Sequence, residues 1–200
     1  MVKRIKRANP ATEPVTLAEA RDHLRLDTFG SPPSHPEDDL IELYISAARQ
    51  YCEDYLGHSI AYRTSVIYFD KLPTKFIDLG EYPVSSVDLF EYIDTDGVTQ
   101  TWNAPNYILD SASAPARVYA TSDFPNVKTA VPNVATLTVK AGYTDGNSPD
   151  TYPIPKSIKN AILLMVGHLY ENRQQVGQKL ESLPYGVEYL LNMSRTNLGL

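Results

Sequence analysis

Pro155 to Gln174, PKSIKNAILLMVGHLYENRQ, decides how the rest of the chain must be arranged. Ile158, Ala161, Ile162, Met165 and Leu169 recur at three- and four-residue steps and so share one helical face, while Leu163, Val166 and Tyr170 cover much of the opposite side. A helix apolar nearly all round has to be enclosed by other elements. Pro155 suits a first-turn position, where its missing N–H leaves no bond unmade, and the polar run Glu171 to Gln175 marks where burial stops. The apolar segment Ala161 to Val166, then Leu169, falls short of the ~18 to 20 residues that cross a bilayer, so the helix is read as a core element. Gly167 in its interior costs about 1 kcal/mol relative to Ala, and close approach of another helix is the reason assigned to it.

Working outward, PVTLAEARDHLRLD places Thr16 and Glu19 at capping-box spacing and Leu17, Ala20 and Leu24 on one stripe, which predicts a short amphipathic helix. The proline-rich TFGSPPSHPE follows as an exposed connection, with Ser34 and Glu37, or His35 before Pro36, as candidate caps. A second helix is predicted from about Pro36 to Leu56, with Asp38 and Asp39 at its positive end and Ile41, Tyr44, Ile45, Ala48, Cys52 and Tyr55 on one face. Gly57 is its stop.

From Ala61 the hydrophobic period changes from helical to alternating. TSVIYF, KFIDL, SSVDLFEYI, VTQTW, NYILD, ARVYA and ATLTVKAGY read as strands, and Asp94-Thr95-Asp96-Gly97 as a hairpin turn. Tyr143 to Pro153, with Asp145-Gly146-Asn147, is a loop that delivers the chain to the long helix. Gly177 and Pro184 then punctuate the chain before a short helical pattern with Val187, Leu190 and Leu191. The expected fold is α+β: a small helical bundle core of about four helices with an inserted antiparallel β-sheet module. The 200 residues divide as a basic flexible arm (1–13), N-terminal helices (14–60), a β-rich insertion (61–142), central and C-terminal helices (154–192) and a tail (193–200) within one domain.

This length buries a substantial core without staples, and the lone Cys52 forms no internal disulfide, which favours a reduced, cytoplasmic site of folding. The start MVKRIKRANP has no apolar segment after its charges and reads neither as a secretory signal nor as an anchor. The formal charge is −6; Lys3, Arg4, Lys6 and Arg7 supply four positive charges in the first seven residues, which leaves −10 for the remainder. Such a body repels DNA, and only the arm offers a nucleic-acid contact.

The chemical inventory is sparse. The chain has no phosphate-cradling glycine loop, GxSxG, HExxH or paired CxxC. His23 and His58 near helix ends and His35 in the proline-rich link read as solvated or capping groups, and His168 as a hydrogen-bonded or interface imidazole, since no partner of metal-ligand spacing accompanies it. Asp94 and Asp96 resemble the start of a calcium loop, but Gly97 comes too early and the closing glutamate is missing. Asn192-Met193-Ser194 matches a glycosylation triplet without any sign of secretion. The fourteen tyrosines lack interleaved Lys and Arg and read as core and interface residues. No catalytic residue, metal ligand or cofactor site is assigned, and the chain is not read as an enzyme; a nonstandard site at His168 and Glu171, which share a helical face, is the least favoured reading.

The order of these motifs resembles a known family. TLAEARDHLR, then LIELYISAARQYCEDYLG, then a β-rich middle ending in VKAGY, then AILLMVGHLYENR, look like the head-tail connector (adaptor) proteins of tailed bacteriophages and related prophages, over roughly Pro14 to Leu191. Each motif alone is a generic amphipathic pattern; their order and spacing carry the resemblance. It implies a structural adaptor of the virion neck, assembled in the bacterial host cytoplasm. Such proteins form a ring, commonly a dodecamer, under the portal protein, and the ring docks a head-closure or tail-completion protein. Genomic DNA passes through the lumen without specific binding. It further implies that a C-terminal piece, here Leu183 to Leu200, reaches the portal and is separable from the fold. Tyr185, Tyr189, Arg195, Leu198 and Leu200 are the candidate portal-binding residues, and His168, Tyr170, Glu171 and Arg173 the candidate subunit interface. The alternative is a small regulatory or DNA-binding protein that uses the basic N-terminal arm.

Overall fold

The computed structural model describes residues 3–144, 152–173 and 185–195. In chain order the elements are strand β1 (Lys3–Arg7), helices α1 (Leu17–Leu24) and α2 (Asp38–Leu56), strands β2 (Arg63–Phe69), β3 (Phe76–Asp78), β4 (Val84–Ile93), β5 (Thr99–Thr101), β6 (Tyr107–Asp110), β7 (Arg117–Ala120) and β8 (Ala135–Ala141), then helices α3 (Lys156–Glu171) and α4 (Tyr185–Asn192). The α+β class is observed, with the helices in one layer and two antiparallel sheets in the other, ordered β1-β2-β8-β4-β5 and β3-β7-β6.

Local chemistry sets the helix ends. The α1 capping box forms: Glu19 N–H donates to Thr16 Oγ1 at 3.2 Å and Thr16 N–H donates to Glu19 Oε2 at 3.0 Å. Gly57 stops α2 at φ +79°, its N–H donating to Glu53 O at 2.8 Å. Ile158, Ala161, Ile162, Met165 and Val166 of α3 pack against Ile41, Ile45, Ala48, Cys52 and Leu56 of α2, with Ala20 of α1 and Val187 and Leu191 of α4 closing the same cluster. Cys52 is fully enclosed, and burial pushes its thiol up to about 12.

Two readings of this helical layer change. Val187 and Leu191 are completely buried, so α4 is a core element, and removing Leu183 to Leu200 would strip it from the helical core. A methyl group on Gly167 would meet only the His23 ring, at 3.5 Å from Nε2, so no close helix approach requires the glycine.

The β layer has its own core. Ile67, Phe69, Leu137 and Val139 of the larger sheet face Ile77 and Val118 of the smaller, and Trp102 stands edge-on to Phe90 at 4.9 Å. Asp94 builds the predicted hairpin turn, its Oδ1 accepting from Asp96 N–H at 3.1 Å and Val98 N–H at 2.9 Å. The N-terminal arm departs from expectation: Lys3–Arg7 is an edge strand paired with β2, Arg4 lies 5.0 Å over the Tyr68 ring, and Arg7 is ion-paired to Glu81. The DNA-binding alternative thereby loses its free arm. Asp145-Gly146-Asn147, Gly177 and Pro184 lie outside the described residues.

Two buried carboxylates join the layers. Glu53, its side chain 4% exposed, accepts from Ile60 N–H at 2.9 Å and Ala61 N–H at 3.2 Å, from Arg49 at 2.7 Å and from Arg63 of β2. Glu81 accepts from Ser59 N–H at 2.8 Å and Arg7 at 2.7 Å, while Arg7 also donates to Gly57 O at 3.1 Å. Between them sits His58, which is 2% exposed rather than solvated and is edge-on to Tyr82 and Tyr143; burial holds its imidazole below the usual histidine range. On the other side Gly142, at φ +105°, presses so closely that a Cβ there would lie 2.3 Å from Ala61 O.

Replacing Glu53→Gln leaves Arg63 without its anion in a buried site and Arg49 with Glu13 alone, and is expected to cost ~3 to 5 kcal/mol in urea unfolding; an unchanged midpoint would contradict the structural role of the cluster. Gly167→Ala is expected to stabilise the fold by about 1 kcal/mol in the same measurement, because the helix gains propensity and the space is available.

Candidate functional site

The chain's candidate surfaces lie at two ends of the helical layer. The first is α4. Its inner side, Val187 and Leu191, is anchored in the core, Tyr55 donates to Asn192 Oδ1 at 3.0 Å, and the hydroxyls of Ser157 and Ser194 are 2.9 Å apart. This anchoring turns Tyr189 and Met193, one helical turn apart, outward at 71% and 67% exposure. Arg195 lies 5.8 Å over the Tyr55 ring. Tyr185 begins α4, whereas Leu198 and Leu200 lie outside the described residues. Met193 is not among the residues named from the sequence; its spacing of four from Tyr189 is the signal that places the two on one side of the helix.

The second surface is the C-terminal end of α3. Tyr170 and Arg173 both reach Glu37 at the start of α2: the Tyr170 hydroxyl donates to Oε2, and the Arg173 guanidinium spans both carboxylate oxygens, with Nη2 at 2.8 Å. The guanidinium also stacks 4.2 Å over the Tyr170 ring. Arg173, and then Tyr170, hold the Glu37 carboxyl well below its ordinary range, at about 2, and Glu37 in turn raises the Tyr170 phenol. His168 is half-buried, with Nδ1 3.3 Å from the Asn172 amide, and Glu171 is exposed. The structure therefore groups Tyr170 and Arg173 around Glu37, a residue that sequence reasoning treated only as a capping candidate. His168 and Glu171 stand outside that cluster.

Phe29 is a further exposed aromatic, at 65%, held by reciprocal backbone bonds with Ser34 of 2.9 Å each. Among the described residues no group of three or more His, Cys, Asp and Glu is arranged to hold a metal ion, and no helix is long and apolar enough to cross a membrane.

Residues 14–81 match the family model of the phage gp6-like head-tail connector protein. Among solved structures, a chain from the neck of an empty gene transfer agent (GTA) particle, computed with C6 symmetry, is 25% identical, with a TM-score of 0.77 over 100% of this chain and 98% of that one. A chain of the native GTA virion is 24% identical, with a TM-score of 0.71 over 100% and 98%. One from the native GTA neck, computed with C12 symmetry, is 22% identical, with a TM-score of 0.72 over 98% and 97%. No curated protein gives a significant match. The head-tail connector resemblance is thus found in the family match over α1, α2 and the start of the β layer, and the neck chains share the fold over its whole length.

Glu37→Gln tests the α3 cluster. A depressed carboxyl stabilises the fold above its ordinary pKa of 4.5 and loses that contribution as pH falls towards 2. The melting temperature of the variant is therefore expected below that of the wild type at pH 7, with the gap closing between pH 4.5 and 2; a gap independent of pH would refute the ionic origin.

Proposed function

We propose that this chain is a structural adaptor of a virion neck, forming a ring under the portal that links the DNA-filled head to the tail or next neck protein. The observation that carries the reading is the end-to-end likeness to a GTA neck chain, at a TM-score of 0.77, together with the connector match over residues 14–81. The C6 and C12 symmetries of those necks support a ring, and a dodecamer is the expected closure. The reading requires no catalytic step.

In this assembly the portal-facing surface is α4, where Met193 joins Tyr185, Tyr189 and Arg195; Leu198 and Leu200, outside the described residues, complete the candidates named from the sequence. Tyrosine and methionine suit that task, combining large apolar area with adaptable shape. His168 and Glu171 meet the neighbouring subunit, at an end of α3 whose geometry Tyr170 and Arg173 set through Glu37. The net charge of −6 suits a lumen through which genomic DNA slides without being held.

The test is native mass spectrometry of the chain with purified portal. A ring on the portal is expected, and failure to form any ring or portal complex would overturn the reading. Tyr189→Ser with Met193→Ser should keep the wild-type melting temperature, because both side chains face outward, and weaken portal binding by about 30-fold, or about 2 kcal/mol. Undiminished binding would remove α4 from the portal contact.

A further inference from the structure

The solvent face of the five-stranded sheet carries opposite charges at its two ends. One cross-strand row runs Arg4, Tyr68, Thr136, Glu91, Thr101, and the next runs Lys6, Val66, Thr138, Leu89. These residues alternate with Ile67, Phe69, Leu137 and Val139, which are buried in the β core, so both rows face away from it. At the β1 edge Arg4 and Lys6 are exposed. At the opposite end Asp88 and Asp96 are exposed and Glu91 and Asp94 half-buried. Two lysines lie among those four carboxylates: Lys140, 3.8 Å from Asp88, and Lys128, against the Gly97 turn. The balance there remains acidic, and β1 and β5 are the two edges of the sheet.

We propose that the basic β1 edge of one copy docks against the acidic β4–β5 end of a second copy, head to tail. The proposal rests on the ring reading above and gives the ring one of its contacts. A ring needs two different surfaces that complement each other, and the two ends of one sheet meet that requirement in charge. Half-buried Val66 and Tyr68 and exposed Leu89, which lie between them, carry no charge of their own, so the ends dominate the field along this face. Charged edge strands also resist indiscriminate strand pairing, so a like edge is rejected and an unlike one accepted. Exposed pairs of this kind set encounter rate and register more than affinity.

Carbodiimide cross-linking joins a lysine directly to a carboxylate it touches. It is applied to a mixture of unlabelled and nitrogen-15-labelled full chain at millimolar concentration, and the linked peptides are identified by mass spectrometry. Mixed-isotope links from Lys6 to Glu91 or Asp96 are expected. Arg4→Glu, which leaves the Lys6 amine and both target carboxylates in place, should lower their yield several-fold while circular dichroism stays that of the wild type. Mixing a chain carrying R4E and K6E with one carrying E91K and D96K should give links between position 6 of the first and position 91 or 96 of the second, a pairing that neither chain forms alone. Absence of mixed-isotope links, or links confined to other surfaces, overturns the inference but leaves the neck reading, which is decided by portal binding. Salt-sensitive capture of DNA through Arg4 and Lys6 without such links would assign the edge to nucleic acid and overturn it as well.

Discussion

The Glu53 carboxylate is the constraint on which the two-layer arrangement depends. A carboxylate so deeply buried is tolerable only when its lone pairs are met by donors, and here they come from a helix, the turn after it and a strand. Arg49 is one turn away on α2, Ile60 and Ala61 offer backbone N–H groups from the turn after it, and Arg63 is the first residue of β2. Satisfying one side chain therefore fixes where the sheet starts relative to the helix. Glu81 does the same from the opposite side, binding Ser59 and the β1 residue Arg7. The apolar clusters stabilise each layer, but they are separate and do not by themselves set the relation between layers.

The surfaces follow from that scaffold. In α4 a single helix serves both purposes: Val187 and Leu191 hold it to the bundle, and the same periodicity turns Tyr189 and Met193 outward. The proposed contact surface is thus pre-formed on a rigid element, which would limit the ordering cost of binding. At the other end of the layer the Glu37 cluster orders the last turn of α3. Its members are largely satisfied within the subunit, so they shape a neighbouring surface more than they supply unused charge.

Much of this was legible from local pattern. The α3 periodicity, the Thr16–Glu19 box, the Gly57 stop and the Asp94–Gly97 turn each involve residues within a few positions of one another, where sequence spacing maps directly onto geometry. What escaped depends on partners far apart in the chain. Arg7 meets Glu81 across 74 positions and Arg173 meets Glu37 across 136, and no periodicity announces either pair. The N-terminal strand was hidden because KRIKR has the composition of a solvated arm, and only the availability of the β2 edge makes it a strand. His58 read as a solvated group beside a helix stop, yet the two tyrosines that enclose it come from distant loops. The proposed portal and subunit residues rest on resemblance, since a contact with another chain leaves no periodicity in the sequence of one.

The position of Trp102 has a spectroscopic consequence. It is the single tryptophan of the chain, and it sits wholly within the β layer among Phe90, Tyr107 and Phe124, while the helical core holds none. Its emission therefore follows the sandwich alone, whereas far-ultraviolet ellipticity is dominated by the helices. The two optical signals separate the layers without any label. Coincident traces during denaturation would mean that the polar junction makes one cooperative unit of two cores, and displaced traces that each core melts in its own right.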